Sequence, residues 1–198
     1  MFPSEAIDTA CATVRAARTG DAMIVVAIDG GAGAGKSTLA KGMRDYLGTA
    51  SILRTDHFFH PLYEYPAARL PPHEAYRLYL SWERMCEEAL LPLRHGQRAK
   101  YQRYDWEKDR LNQWVIVEPS RTVLVEGVYS TRPELRPLID IAIFVQTPRD
   151  ERRKRMLTRG HLKRDIENHW LEPWMAAEDW YFARVRPDEH CDLLVAGY

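Results

Sequence analysis

Cysteine is scarce in this chain: Cys11, Cys86 and Cys191 are the only three among 198 residues. They are far apart, odd in number and without paired metal-ligand spacing, so neither a disulfide framework nor a zinc site is expected, and a reducing cytoplasm is the expected compartment. Long apolar runs are lacking too. The strongest, Met23 to Ile28 and Ile141 to Val145, are too short to cross a bilayer, and Met1-Phe2-Pro3-Ser4-Glu5 shows no basic region leading into an apolar stretch. Neither export nor membrane insertion is expected. Excess charge is missing as well, because 28 Lys and Arg balance 28 Asp and Glu. Without an overall field, nucleic acid and anionic membranes are not expected partners, and any polyanion must be held by a local site. The seven histidines show no H-x-x-x-H spacing or His/Cys cluster, which argues against metal ligation by them.

What is present reads as an ordinary soluble chain, 45% hydrophobic and 28% charged, with one core and no domain boundary over residues 1–198. Ser4 can open a helix with Ile7, Ala10, Cys11, Val14 and Ala17 on one face, stopped by Gly20. Ala22 to Ile28 is a continuous, β-branched apolar run suited to a buried parallel strand, and Ser37 to Leu47 reads as a helix ended by Gly48. Short apolar runs recur at Ser51 to Arg54, Thr122 to Val125, Ile139 to Val145 and Leu193 to Val195. Strands alternating with helices imply an α/β fold with a parallel sheet. Residues 97–118, where Tyr101, Tyr104, Trp106 and Trp114 alternate with charges, read as a hairpin or a long excursion from the sheet. Pro72 to Glu88 reads as one helix with Tyr76, Leu80 and Met85 on its apolar face. Trp170, Trp174, Trp180 and Tyr181 are expected to pack a C-terminal helix onto the sheet and to carry no chemistry.

Gly30-Gly31-Ala32-Gly33-Ala34-Gly35-Lys36-Ser37 satisfies G-x-x-x-x-G-K-[ST], directly after a buried strand and directly before a helix. In that setting backbone N–H groups wrap a β-phosphate, the helix N-terminus adds its positive end, Lys36 reaches the β- and γ-phosphates, and Ser37 offers its hydroxyl to Mg²⁺. Residues 30 to 37 with Thr38 are therefore the expected nucleotide contacts. Two carboxylates stand at the carboxyl ends of other strands, Asp56 after Leu53-Arg54-Thr55 and Glu126 after Val123-Leu124-Val125, where open parallel sheets bind ligands. One could take a proton from an acceptor hydroxyl while the other organises metal-bound water; each alone could also be a solvated strand-end acid. From Arg149 to Arg164 there are eight Lys and Arg against two acids. As a helix, this stretch places Arg152, Arg155, Arg159 and Lys163 on one face, a lid over phosphates or else a solvated basic surface. His57 and His60 follow Asp56 closely enough to touch an acceptor or a phosphate, or simply to bond to backbone. Phe58, Phe59, Tyr63 and Tyr65 form either an acceptor wall or loop packing.

These residues resemble the uridine kinase-like branch of P-loop kinases, which includes relatives of phosphoribulokinase and pantothenate kinase. The resemblance covers most of the chain after Ala22. It rests on the P-loop, on Asp56-His57-Phe58-Phe59, on Tyr104-Asp105-Trp106, on Val125-Glu126-Gly127, and on Asp150, Arg152, Arg155 and Arg159 at their spacing. It implies a three-layer fold with five parallel strands in the order 2-3-1-4-5, helices on both faces, a small hairpin near 97–118 and a lid helix near 149–164. It further implies ATP as co-substrate with Mg²⁺, Asp56 as general base, Lys36, Arg155 and Arg159 on the phosphates, and Ser37 with Glu126 at the metal. Asp56, Phe58, Tyr104 and Arg152 would meet a small-molecule acceptor, and a homo-oligomer is compatible with it. One departure concerns the acceptor: nucleoside-phosphorylating members carry a histidine five residues after the tyrosine, and Asp109 stands there in this chain. The expected activity is transfer of the ATP γ-phosphate to a hydroxyl of a nucleoside-like or other small metabolite, with a sugar, pantothenate-like or glycerate-like acceptor as the alternative. A GTPase or motor ATPase is disfavoured because no Asn-Lys-x-Asp segment occurs and the third strand ends Glu-Gly. A nucleotide-sensing module without an acceptor is opposed by Asp56 and the arginine row.

Overall fold

The computed structural model describes residues 4–61, 70–158 and 170–197. The apolar runs become a sheet of parallel strands: β1 (Ile24–Asp29), β2 (Ala50–Arg54), β5 (Thr122–Glu126), β6 (Ile141–Gln146) and β7 (Leu193–Ala196), in the order β2-β5-β1-β6-β7. Counted among these five alone, the order is 2-3-1-4-5, as expected. The excluded pair, β3 (Ala99–Asp105) and β4 (Arg110–Val117), is the antiparallel hairpin.

Every residue of β1 is buried, because alternate side chains feed two cores. Ile24, Val26 and Ile28 pack with Leu124, Ile141, Ile143 and Val145 beneath α1 (Ser4–Ala17) and α2 (Lys36–Leu47). Val25 and Ala27 face the other way, with Val123 and Val125, toward the hairpin and α7 (Leu171–Val185). Helices thus cover both faces, and the carboxyl ends of β1, β2 and β5 emerge together at one rim.

One expectation needs correction. Residues 72–88 are not one helix. α3 (Pro72–Tyr79) stops where Leu80 turns extended, and α4 (Trp82–Met85) restarts the coil, which continues through a π-turn into α5 (Leu91–Arg94). The break is made by the chain that follows β2: Phe59 and Leu80 form an antiparallel bridge, Ser81 N–H donates to the Phe58 carbonyl at 2.8 Å, and His60 N–H donates to the Tyr79 carbonyl at 3.0 Å. Backbone pairing over twenty residues overrides a helical pattern that is apolar at Tyr76, Leu80 and Met85, all of which are buried nonetheless. The aromatics of α7 share a core with Val25, Ala27, Val123 and Val125 of the sheet, as expected, and also meet α3 and the hairpin. Trp174 stacks on Tyr79 at 5.0 Å, Tyr181 stacks on Tyr76 at 5.2 Å, and Trp106 of the hairpin stands edge-on to Trp170 at 5.7 Å.

Candidate active site

The phosphate loop runs from Gly30 to the start of α2, and no side chain caps that helix. The Lys36 and Ser37 N–H groups at its start are therefore not consumed by a side-chain cap and can turn to an anion, while that of Thr38 donates to the Gly35 carbonyl at 2.9 Å. Lys36 is 7% exposed and its Nζ donates to the Gly31 carbonyl at 2.8 Å, which folds the side chain back along the loop. Ser37 and Thr38 face solvent. The Ser37 hydroxyl donates to Glu126 Oε2 at 3.1 Å, so the two residues expected at a metal are in contact. Hydroxyl and carboxylate oxygens are the hard donors that Mg²⁺ prefers, and Mg²⁺ completes its shell with water and phosphate oxygens. Such a site needs no larger protein cluster; among the described residues no group of three or more His, Cys, Asp or Glu could hold a metal.

Glu126 is 4% exposed, and burial together with the neighbouring charge of Asp56 raises its carboxyl above the ordinary value. That coupling puts Asp56 on the Glu126 side of the rim. Asp56 itself is exposed on the short 3-10 turn Thr55–Phe58 that follows β2, where Arg54 is in register with Glu126 and lies 3.7 Å from its Oε1. The turn can sit close over β5 because residue 127 is glycine: its φ is 146°, and a Cβ there would collide with the Thr55 hydroxyl.

Around Asp56 the surroundings become aromatic. His57 Nδ1 and the Tyr101 hydroxyl share a hydrogen bond at 3.1 Å. Burial, with the charges of Arg54 and Arg103 adding to it, lowers the His57 imidazole to about 4, so it is neutral at pH 7. Tyr104 is 2% exposed and its hydroxyl donates to Asp109 at 2.6 Å, across the turn of the hairpin. Phe58 differs from expectation: it is fully buried between Tyr101, 4.5 Å away, and the Arg84 guanidinium, and its ring has no surface to offer an acceptor.

The basic segment also divides. Residues 149–158 form α6 (Arg149–Thr158), while Arg159, Lys163 and Arg164 lie outside the described residues, as do Tyr63 and Tyr65. Arg155 reaches the Gly33 carbonyl at 3.3 Å and is held by Glu151 at 2.9 Å, which places it on the phosphate loop. Arg152, expected to meet the acceptor, is instead 4% exposed, paired with Glu178 and laid over the Phe182 ring. The structure does not bring it to Asp56.

Two carboxylates that sequence reasoning passed over organise this rim. Asp29, fully buried at the end of β1, accepts five hydrogen bonds: from the N–H groups of Gly30 (2.6 Å), Tyr129 (3.1 Å) and Thr131 (3.0 Å), and from the hydroxyls of Thr131 (2.6 Å) and Tyr181 (2.7 Å). It ties the first residue of the phosphate loop to the segment after β5 and to α7. Glu178, also fully buried, accepts the Ala32 N–H at 2.8 Å and the Trp174 indole N–H at 2.6 Å. Both were signalled faintly. Asp29 is a third acid at a strand end, and Glu178 falls on the same helical face as Trp174 and Tyr181. The aromatic helix therefore carries polar contacts as well as packing.

Comparison with known proteins agrees with this arrangement. Residues 25–188 match the model of the phosphoribulokinase/uridine kinase family. A uridine kinase of Halobacterium salinarum is 31% identical over 185 residues, spanning 86% of this chain and 78% of that protein. Among solved structures, a possible uridine kinase from Bacillus stearothermophilus superposes with a TM-score of 0.75 at 23% identity, covering 96% of this chain and 97% of that one. The D-glycerate 3-kinase of Cryptococcus neoformans superposes with a TM-score of 0.56 at 16% identity, covering 87% and 84%, so the scaffold is shared by proteins with different names. With a phosphate loop in its proper strand-to-helix setting and a match over most of its length, this chain belongs to the phosphoribulokinase/uridine kinase family of small-molecule kinases.

Proposed function

We propose that the protein transfers the γ-phosphoryl group of ATP to a hydroxyl of a small, nucleoside-like acceptor. The observation that carries this reading is the meeting, at one rim of the sheet, of the Lys36-Ser37 phosphate grip with the Glu126 carboxylate and, beside it, the exposed Asp56. In the proposed step Asp56 takes the proton of the acceptor hydroxyl while the hydroxyl oxygen bonds to the γ-phosphorus. The bond from that phosphorus to the β,γ-bridging oxygen breaks, and ADP leaves with the electron pair. Lys36 and the loop N–H groups hold the phosphates in line with the acceptor, and Arg155 adds positive charge from the side of Gly33. Ser37 and Glu126 are the residues that would hold Mg²⁺, which supplies neutralisation of the phosphate charge. The expected role of Arg159 is to extend the arginine row of α6 over the same phosphates.

The nucleoside-like acceptor is supported by the name of the 31% identical relative. A second reading, a sugar, pantothenate-like or glycerate-like acceptor, is favoured by one observation: Tyr104 donates to a carboxylate, Asp109, at the position where the resembled nucleoside kinases carry histidine. A carboxylate presents acceptors rather than donors, which changes what an acceptor's polar groups must offer. ADP release measured over nucleosides, sugars, pantothenate and glycerate decides between them. Stimulation by a nucleoside supports the first reading and stimulation only by another class supports the second. ADP formation that no acceptor stimulates overturns both.

A further inference from the structure

The phosphate loop is held by a carboxylate that neither the loop motif nor the transfer step uses. Through Oε1, Glu178 of α7 accepts the Ala32 N–H at 2.8 Å and the Trp174 indole N–H at 2.6 Å; through Oε2 it meets the Arg152 guanidinium. Glu178 is wholly buried and Arg152 is 4% exposed. Arg152 in turn presses directly on the loop. A Cβ at residue 31 would collide with its guanidinium, and one at residue 33 would crowd its backbone carbonyl at 2.8 Å, so only glycines let α6 come this close. One turn along α6, Arg155 bonds to the Gly33 carbonyl. A single side chain from the C-terminal helix thus fastens both the loop and the helix that lies across it.

An ion pair at this depth gains little over apolar packing of equal volume, because desolvation offsets the attraction. What it adds here is a fixed placement: the same carboxylate measures the position of a loop N–H and of an α6 guanidinium. We infer that Glu178 is a positioning residue for phosphoryl transfer, holding Ala32 and Arg152 together so that α6 stays seated on the phosphate loop and the γ-phosphorus meets the acceptor hydroxyl rather than water. The inference rests on the transferase reading above. The competing step is attack of a water oxygen on the same phosphorus, which releases ADP, inorganic phosphate and a proton; a helix that lifts from the loop admits that water.

Glu178→Gln tests this. The amide keeps an oxygen for the Ala32 N–H and leaves the buried Arg152 charge with only the half-exposed Asp179 carboxylate, 3.8 Å away, as counter-ion. ADP and phosphorylated acceptor are measured in the same reactions, KM is determined for ATP and for acceptor separately, and ATP affinity is measured by calorimetry. The expected result is a rise of about tenfold in ADP formed per acceptor phosphorylated, the scale of one lost charge-assisted hydrogen bond. KM and Kd for ATP rise about three- to tenfold, while KM for the acceptor stays within about twofold. The product ratio does not depend on the fraction of folded enzyme, so a merely structural role leaves it unmoved. If Glu178→Gln is not recovered folded, Glu178→Asp, which keeps the charge but withdraws it by one methylene, gives the same changes at smaller amplitude. An unchanged ratio and unchanged ATP affinity in either folded variant overturn the inference. If the unmodified protein forms ADP without stimulation by any acceptor, the transferase reading fails instead, and the ATP affinity of the variants still tests whether Glu178 holds the loop.

Discussion

The phosphate loop and the surroundings of Asp56, the proposed acceptor side, are built by different means. At Gly30 to Ser37 the recognition groups are main-chain N–H groups, one lysine and one hydroxyl, braced from behind by the buried carboxylates Asp29 and Glu178. Around Asp56 the surface belongs to side chains from separate places in the chain, His57 after β2, Trp106 on the hairpin and Trp170 at α7, packed over the buried rings of Phe59, Tyr101, Tyr104 and Trp174. A triphosphate is the same for every kinase of the family, and a backbone cradle can be specified by a short run of glycines. An acceptor differs from one member to the next, and only side chains drawn from several elements can distinguish one from another.

The sharpest way to break this comparison is to remove the carboxylate of the proposed base. Asp56→Asn is expected to lower acceptor-dependent turnover by ~10²–10⁴, with ATP affinity by calorimetry almost unaltered. Normal turnover in this variant would remove Asp56 from the role of base. Lys36→Met should act on the phosphate side alone, cutting kcat/KM for ATP by ~10²–10³ while leaving acceptor binding, measured without nucleotide, unaffected. A parallel loss of acceptor binding would show that the two sides are not separable.

Acid probes the acceptor side in a way that the phosphate side does not share. His57 titrates near 6.5 in the unfolded chain and near 4 when folded, because burial and the adjacent charges of Arg54 and Arg103 disfavour its protonated form. Between those values the unfolded chain binds more protons, so stability falls as pH drops through the window, by up to ~3 kcal/mol. Urea unfolding at pH 7 and pH 4.5 should show this loss in the parent protein and a smaller one in His57→Asn. An equal loss in both would place the acid sensitivity elsewhere. The smallest effect is expected for Tyr104→Phe, which removes the hydroxyl that donates to Asp109. KM for the acceptor should rise by roughly three- to tenfold, with KM for ATP within error of the parent.

The same division explains what could be read from the chain before its structure. The strand, phosphate loop and helix from Ala22 to Leu47 were legible because hydrophobic pattern, glycine spacing and the Lys-Ser pair all act over neighbouring residues, and the strand order followed from the resemblance. The end of α3 at Tyr79 was not, since it is set by pairing of Phe59 with Leu80, and a helical apolar pattern carries no trace of a partner twenty residues away. Phe58 and Arg152 show the converse. Each belongs to a segment rich in functional residue types, yet packing turns Phe58 into the core and Arg152 toward Glu178. Asp29 and Glu178 escaped notice because nothing local distinguishes an acid that will be buried from one that will be solvated.

The main-chain closure at Phe58 to His60 against Tyr79 to Ser81 has a consequence for how the chain between them can vary. The excursion between those two points is pinched at its root by main-chain hydrogen bonds, which do not depend on what side chains it carries. Apart from α3, whose Tyr76 and Tyr79 are stacked on α7, a change in the excursion's length carries an entropic cost that grows only slowly with size. A change there leaves the strand ends, and the residues gathered at them, in place.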